Sequence, residues 1–443
     1  MLSLFTAVAL VLATVSSAGV ASADRFDHGV ASAWIDLYAT LVSETPGFSA
    51  PVAARAYAYA GVTLYESLVF SMPEHRSLAA ALAGLEVPPI ADAPDALDPP
   101  SVANAALAHV TRGLFPTVRE KNALLIDALE ARLHEARAQH VDAATIERSR
   151  AYGRAVADAV AAWSLDDGGA DGHLSNFDAD YEVPEGASWE PTPRQVGAPL
   201  PPLQPRWGDN RPFAAGVVAA CAPPPPPTYS TDPSSQLYRE ALEVVAAVRD
   251  ITPEEREIAQ FWADNAGATA TPAGHWMAIL TNVLAARDAP MAEAAESYAR
   301  LGMALNDAFI SCWSTKFREL YVRPITYIQG VIDPTWNLPR LTDPLLTPPF
   351  PEYTSGHSVV SAAAAAVLTA QFGDDVRFVD DYHVGRGFDP RSYDSFWHAA
   401  DEAAFSRLVG GIHFRSGIEN GMLEGRCVAE RVLALPLGVA AID

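Results

Sequence analysis

The chain has 443 residues, is 49% apolar, and carries 54 acidic against 30 basic side chains, a formal net charge of −24. That length suffices for two domains or one large helical domain with a well-filled core. The acid excess argues against a nucleic-acid partner, because no basic field is present to release counterions from a phosphate backbone.

The first elements in chain order belong to export. Leu2 to Val15 form an apolar run, and Ala21-Ser22-Ala23 supply a small-x-small cleavage site. Residues 1–23 therefore read as a signal peptide with Asp24 as the mature start, giving a periplasmic or secreted protein. No lysine or arginine precedes the run; a membrane anchor is the alternative, for which the stretch is short. No later segment is apolar enough to span a bilayer, so no integral membrane segment is expected in the mature chain. Three cysteines, Cys221, Cys312 and Cys427, show no metal spacing and leave one bridge plus a free thiol open without saying which pair.

The mature chain reads as all-α: two packed helical bundles with long proline-rich loops. Residues 24–165 form the N-terminal bundle, with helices expected over Val52–Phe70, Ser101–Leu114, Val118–Ala138 and Ala143–Trp163. Between residues 166 and 233 glycine, aspartate and proline dominate, ending in Pro223 to Pro227, which excludes a regular helix. Trp189, Trp207 and Phe213 are unusual in a disordered linker and predict an ordered loop draped over the bundle. Residues 234–443 form the C-terminal bundle, with helices over Ser234–Val248, Pro253–Asp264, Ala273–Ala286, Met291–Phe317 and His357–Phe372, and another begun near Asp401 with His413 on or beside it. A proline-rich loop, Asp333 to Pro351, precedes the His357 helix. Alternating β-branched runs are scarce, so strands have little support.

Three segments in this second bundle carry the chemistry: Lys316 to Arg323-Pro324, Thr354-Ser355-Gly356-His357, and Ser406-Arg407 to His413. They combine three cations, a hydroxyl, a glycine amide and two histidines. Cations neutralise a tetrahedral oxyanion, and small donors reach its remaining oxygens. Arg323 and Arg407 can each donate two parallel hydrogen bonds, whereas Lys316 is a point charge. Ser355 and Gly356 open a helix whose first amides face the anion. One histidine suits a bond to the central atom and the other proton transfer.

These segments resemble the signature K-x6-RP, PSGH, SR-x5-H of the vanadium-dependent haloperoxidases and the type-2 phosphatidic acid phosphatase superfamily. The order matches, with 29 residues between Pro324 and Thr354 and 48 between His357 and Ser406. Trp189, Pro191-Thr192-Pro193, Trp207-Gly208 and Arg211-Pro212-Phe213 likewise resemble soluble bacterial haloperoxidase-like proteins, so the resemblance covers most of residues 180 to 430. It implies a vanadate cofactor held by Lys316, Arg323, Ser355, Gly356, Arg407 and His413, with His413 bonding vanadium. It also implies a catalytic set of His357, Lys316 and His413, in which His357 is the acid–base and Lys316 polarises bound peroxide. The implied reaction is oxidation of a halide by hydrogen peroxide to a hypohalous-acid-type species that halogenates a small organic substrate.

The alternative is a soluble acid phosphatase working through a phosphohistidine. Its relatives usually carry an aspartate four residues after the last histidine, where this chain has Gly417, which weighs against it. Phe350 and Trp313 match aromatic positions of chloroperoxidases. Phe261 to Asp264, with His275-Trp276 downstream, again resembles the haloperoxidase-like group, and Asp264 is expected to pair with Arg407. For His275 a capping or core role is expected, while His383 and His398 carry no spacing signal. Thr354 departs from the proline of PSGH without removing a ligand. The assembly is open, a homodimer among the options.

Overall fold

Side-chain caps set six of the fourteen α-helix starts among the described residues. The computed structural model describes residues 22–89, 96–192, 199–339, 341 and 346–438; the expected signal segment up to residue 21, and Pro193, lie outside them. The chain begins with α1 (Gly29–Glu44) and α2 (Ala50–Leu68). Asp98 caps α3 (Pro99–Leu114), α4 (Glu120–Ala138) follows, and Asp142 caps α5 (Ala143–Ser164). After the short α6 (Val217–Ala220), Ser235 caps α7 (Gln236–Arg249), and Thr252 with Glu255 forms a reciprocal capping box on α8 (Pro253–Phe261). Then come α9 (Thr271–Ala286), α10 (Met291–Glu319) and α11 (Pro324–Val331). Ser355 caps α12 (Gly356–Phe372), Ser395 caps α13 (Phe396–Val409), and α14 (Arg415–Leu433) closes the fold.

Several features depart from the sequence reading. Helices α1, α6, α11 and α14 were not anticipated: small and polar residues dilute the apolar spacing of α1 and α14, α11 is eight residues long, and α6 is a single turn of four residues inside the stretch expected to hold no helix. Helix α8 stops at Phe261, and Asp264 lies beyond it with φ +43°. Helix α13 starts at Phe396, and His413 sits between α13 and α14. Two three-residue strands, β1 (Phe378–Asp380) and β2 (Arg391–Tyr393), pair antiparallel with Phe378 opposite Tyr393, a ribbon too short to show as alternation. Among the described residues no helix is long and apolar enough to cross a membrane.

Helices α2 and α10 meet backbone to backbone. A Cβ at Gly61 would stand 2.5 Å from the Tyr298 carbonyl oxygen, and one at Gly302 would stand 2.9 Å from the Ala58 Cα. Glycine at both positions allows this approach, and nearly every residue of α2 is buried, as expected of a helix apolar all round. The largest hydrophobic cluster runs from Ala23 to Leu437 and includes residues of both sequence halves.

The segment between α5 and α7 is anchored by its own aromatics. Trp189, Trp207 and Phe213 are buried, and the Phe213 and Ala214 amides donate to the Asp307 carboxylate of α10 at 2.9 and 2.8 Å. The Leu203 amide donates to the Pro349 carbonyl at 2.9 Å, which pins this loop beside the segment leading into α12. A disulfide joins Cys221 to Cys427 of α14, and Cys312 is a buried free thiol.

Candidate active site

The expected donors converge from the ends of four helices. Lys316 lies in the last turn of α10, and Arg323 is the residue before α11. Ser355, Gly356 and His357 form the start of α12, Arg407 ends α13, and His413 sits in the link to α14. Helix ends suit this task, because the first amides of α12 have no partner within the helix and favour an anion. All three cations are nearly inaccessible, at 0%, 0% and 1% relative exposure for Lys316, Arg323 and Arg407. Among the described residues none of the three forms an ion pair with a carboxylate. Burial lowers the pKa of all three, Lys316 to about 8 and each arginine to about 10.

Each cation is aimed by backbone carbonyls. Arg323 donates from Nε to the Phe350 carbonyl and from Nη1 to the Ile412 carbonyl, both at 2.9 Å, and its Nη2 is buried without a partner. Arg407 donates from Nη2 to the Trp262 carbonyl at 2.7 Å and from Nε to Ser406 Oγ at 2.8 Å. Lys316 Nζ donates to the carbonyls of Pro351, at 2.9 Å, Glu352, at 3.0 Å, and Thr354. Those contacts use all three of its hydrogens. This agrees with the reading of Lys316 as a point charge. Here it supplies charge and fixes the segment 351–354, and a direct bond would require exchanging one carbonyl.

His413 has a defined tautomer. Arg323 Nη1 lies 3.2 Å from its Nε2, and a guanidinium can only donate, so Nε2 presents its lone pair. The ring proton is therefore on Nδ1, which donates to Glu352 Oε1 at 2.8 Å. Glu352 is fully buried and also accepts from the Phe414 amide at 2.9 Å. Burial raises its pKa to about 7, against the pull of Lys316 and Arg323. For His413, burial first and then the Arg323 and Lys316 charges hold the pKa well below the usual imidazole value. A neutral ring with a bare Nε2 is the form that binds a metal, and a metal there would take over the lone pair that here accepts from Arg323 Nη1.

Glu352 was missed in the sequence, where it stands between the proline loop and the Thr354-Ser355-Gly356-His357 motif with nothing to mark it. Its place also revises the weight given to Gly417. A Cβ at Gly417 would lie 2.4 Å from Glu352 Oε1, so glycine there makes room for a carboxylate arriving from another element. The histidine keeps a carboxylate partner, and Gly417 by itself no longer weighs against phosphatase chemistry. Thr354, in place of proline, donates to the buried Glu424 at 2.5 Å, which also accepts from Ser311 at 2.6 Å.

His357 faces a cavity of about 570 Å³, also lined by Gly356, Arg407 and His413. Its Nε2 is buried with no partner. Burial and the Arg407 charge lower its pKa well below the usual value, while a hydrogen bond to the Trp262 backbone opposes them. The mouth is largely apolar, with Phe48, Phe177, Leu203 and Leu346. Trp313 and Phe350 both line the cavity, with ring centroids 4.9 Å apart. Lys316 Nζ and Arg323 Cζ lie 5.0 and 4.9 Å from the Phe350 ring centroid.

Asp264 does not pair with Arg407. It turns its carboxylate to His275, 2.8 Å from Nδ1, and toward His383, although it also lines the cavity. Beyond the end of α8, with φ +43°, its carboxylate meets His275 of α9, and its charge still acts on Arg407 without a direct contact. His275 is a buried core residue as expected, whereas His383, which carried no spacing signal, joins it; His398 lies apart at the start of α13.

These residues fit a tetrahedral oxyanion such as vanadate. Three buried cations lack a counter-charge in direct contact, and Arg323 Nη2 and His357 Nε2 await partners. A Cβ at Gly356 would meet protein only at the Trp313 ring, 3.9 Å away, so its absence leaves room in the cradle and relieves no clash.

The family model described as VCPO second helical-bundle domain matches residues 296–437. The structure is similar to that of a bacterial vanadium-dependent iodoperoxidase, with 34% identity over 93% of this chain and 96% of that one and a TM-score of 0.80. A holo-type bacterial vanadium-dependent chloroperoxidase shares the fold at 15% identity and TM-score 0.63, over 89% of this chain and 94% of that one. An apo-type one does so at 16% and 0.65, over 94% and 100%. No curated protein matches.

Proposed function

The chain belongs to the vanadium-dependent haloperoxidases, and from that premise we propose that its buried cation cluster holds vanadate and that the enzyme oxidises halide with hydrogen peroxide. The observation that carries the site assignment is the His413 tautomer, with Nε2 bare of hydrogen and locked by Arg323 and Glu352. His413 Nε2 would bond the metal once Arg323 Nη1 yields that lone pair, Arg323 Nη2 and Arg407 would donate to the oxygens, and Ser355 with the Gly356 amide would complete the shell. Bound vanadate supplies a Lewis acid that activates peroxide toward halide attack without changing its own oxidation state.

The protein's own contribution is charge, proton handling and exclusion of water. His357, neutral and unpartnered at Nε2, takes a proton from incoming peroxide and returns it to the leaving oxygen. An oxyanion in the cavity offsets the Arg407 charge that otherwise opposes protonation of this ring. Lys316 adds positive charge without a direct bond. The released product is a hypohalous-acid-type species, and the apolar mouth favours an apolar organic acceptor. For the halide, the 34% relative is described as an iodoperoxidase, and we take iodide as the substrate of first resort. The Trp313–Phe350 pair is the reason to test chloride as well.

Export is proposed from the N-terminal apolar run together with the Cys221–Cys427 bridge, since disulfides persist in oxidising compartments. N-terminal sequencing of exported protein starting at Asp24 supports it, and retention of residues 1–23 in a cytosolic product overturns it.

The test is halogenation of monochlorodimedone by vanadate-free protein, with and without vanadate, using peroxide and each halide, and iodide oxidation read directly as triiodide. Hydrolysis of p-nitrophenyl phosphate runs beside it. His413→Ala should lose vanadate binding, and His357→Ala should bind vanadate and lose turnover. Vanadate-independent turnover, or vanadate binding intact in His413→Ala, refutes the assignment.

A further inference from the structure

Behind the oxyanion site lies a second cluster of buried ligating groups. Asp264 follows α8, His275 is on α9, Asp380 ends β1, and His383 stands in the turn after β1. Relative exposure is 3% for Asp264, 0% for His275 and Asp380, and 1% for His383. Asp264 Oδ2 is 2.8 Å from His275 Nδ1, and Asp380 Oδ2 is 2.7 Å from His275 Nε2. On the other side Asp264 Oδ1 and His383 Nε2 face each other at 3.2 Å, yet both are buried atoms with no hydrogen-bond partner. One ligand atom from each of Asp264, His275 and His383 falls within 4.8 Å of the others.

We propose that Asp264, His275 and His383 form a second metal site, distinct from the vanadate site, for one divalent ion of the zinc type. Two imidazole nitrogens and one carboxylate oxygen are the donor set of a borderline transition-metal ion, and calcium or magnesium would ask for oxygens. The 3.2 Å gap between the unpartnered atoms is close to the ~3.4 Å that separates two ligands on a tetrahedral zinc with bonds of about 2.0–2.1 Å.

The surroundings are those of an oriented ligand set. With Nδ1 on the ion, His275 releases to solvent the Nδ1 proton that faces Asp264, keeps its Nε2 hydrogen and donates it to Asp380, the carboxylate–histidine–metal arrangement that fixes ring and tautomer. The rings of Trp262 and Tyr382 stack on His275 with centroids at 4.5 and 4.6 Å, and Phe261 stands edge-on to His383 at 5.0 Å. Ligation through Nε2 places the His383 proton on Nδ1, so the 3.4 Å contact from Arg386 to that nitrogen must give way. Asp264 lines the large cavity, which supplies an entry path and leaves the fourth position open to water. Loading such an ion would tie the end of α8, α9 and the β1 turn together.

The test uses vanadate-free full-length protein stripped with chelator. Cobalt(II) is titrated while its visible d–d bands are followed, zinc is then added in competition, and metal content is measured by plasma mass spectrometry. The expected result is one equivalent of cobalt with the intense bands of a four- or five-coordinate site, displaced by zinc, and a raised melting temperature with zinc. His383→Ala and the milder His383→Gln should weaken binding at least about tenfold, while His413→Ala should leave it unchanged, separating this site from the vanadate histidine. Circular dichroism confirms that each variant is folded. If wild-type protein takes up no stoichiometric cobalt or zinc, or if both folded His383 variants bind as wild type does, the cluster is a hydrogen-bonded chain and the proposal falls.

Discussion

Removing the carboxylate of Glu352 tests the logic of the oxyanion site more sharply than removing a ligand. Glu352 touches His413 and the Phe414 amide, at 2.8 and 2.9 Å, and in this structure its part is to hold the ring proton on Nδ1. Glu352→Ala frees His413 to take the other tautomer, with hydrogen on Nε2 where vanadium must bind. Loss of such an orienting group typically lowers metal affinity about 10–100-fold, or ~1.4–2.7 kcal/mol. Glu352→Gln keeps a carbonyl oxygen as acceptor for both donors and drops only the charge, so its vanadate affinity should stay within about tenfold of wild type. Folding should respond less, because two stranded donors at ~1–3 kcal/mol each are offset by relief of a buried carboxyl whose pKa stands raised to about 7. Vanadate affinity is read by isothermal titration calorimetry, with thermal melts as a control. If folded Glu352→Ala binds vanadate as wild type does, or if Glu352→Gln loses as much as Glu352→Ala, the tautomer argument is wrong.

Three further outcomes are expected. Gly417→Ala places a methyl 2.4 Å from Glu352 Oε1, so it should cost about 1–3 kcal/mol by overpacking and also weaken vanadate binding; an unchanged denaturation midpoint would show that α14 yields freely. Lys316, lowered by burial to about 8, is charged below that pH and neutral above it, so its help to an oxyanion is present at low pH and lost as pH rises. Sulfate affinity, free of ligand titration in this range, should fall by up to about tenfold per pH unit above pH ~8 in the wild type and stay flatter in Lys316→Arg; a flat wild-type profile contradicts the assignment. Finally, the Cys221–Cys427 bridge spans a separation of 206 residues, and replacing both cysteines by serine should lower unfolding free energy by about 2–5 kcal/mol, read from urea midpoints.

The parts of the site legible in the sequence are those set by local geometry. Lys316 and Arg323 straddle one helix end, Ser355 caps the next helix, and Arg407 and His413 flank the end of α13. Spacing of a few residues fixes such relations. Apolar spacing likewise announced α3, α5, α7 and α8 before any packing was known. The proline-rich loop also betrayed itself, because Trp189, Trp207 and Phe213 are too apolar to leave in water.

What spacing could not carry were contacts between segments far apart in the chain. Glu352 meets His413 across 61 positions, and Asp264, in a left-handed conformation beyond α8, meets His275 and His383 and not Arg407. Nothing in the local spacing pairs either carboxylate with the histidine it meets, and neither helix start nor periodicity depends on it. The three carbonyls that claim every hydrogen of Lys316 come from backbone, which any sequence would offer. The sequence by itself determined which side chains can bind and transform an oxyanion, because that depends on residue type and near spacing. Which nitrogen of His413 carries the proton, how Lys316 acts and whom Asp264 serves were decided only by the tertiary structure, since buried polar groups take the partners that packing brings to them.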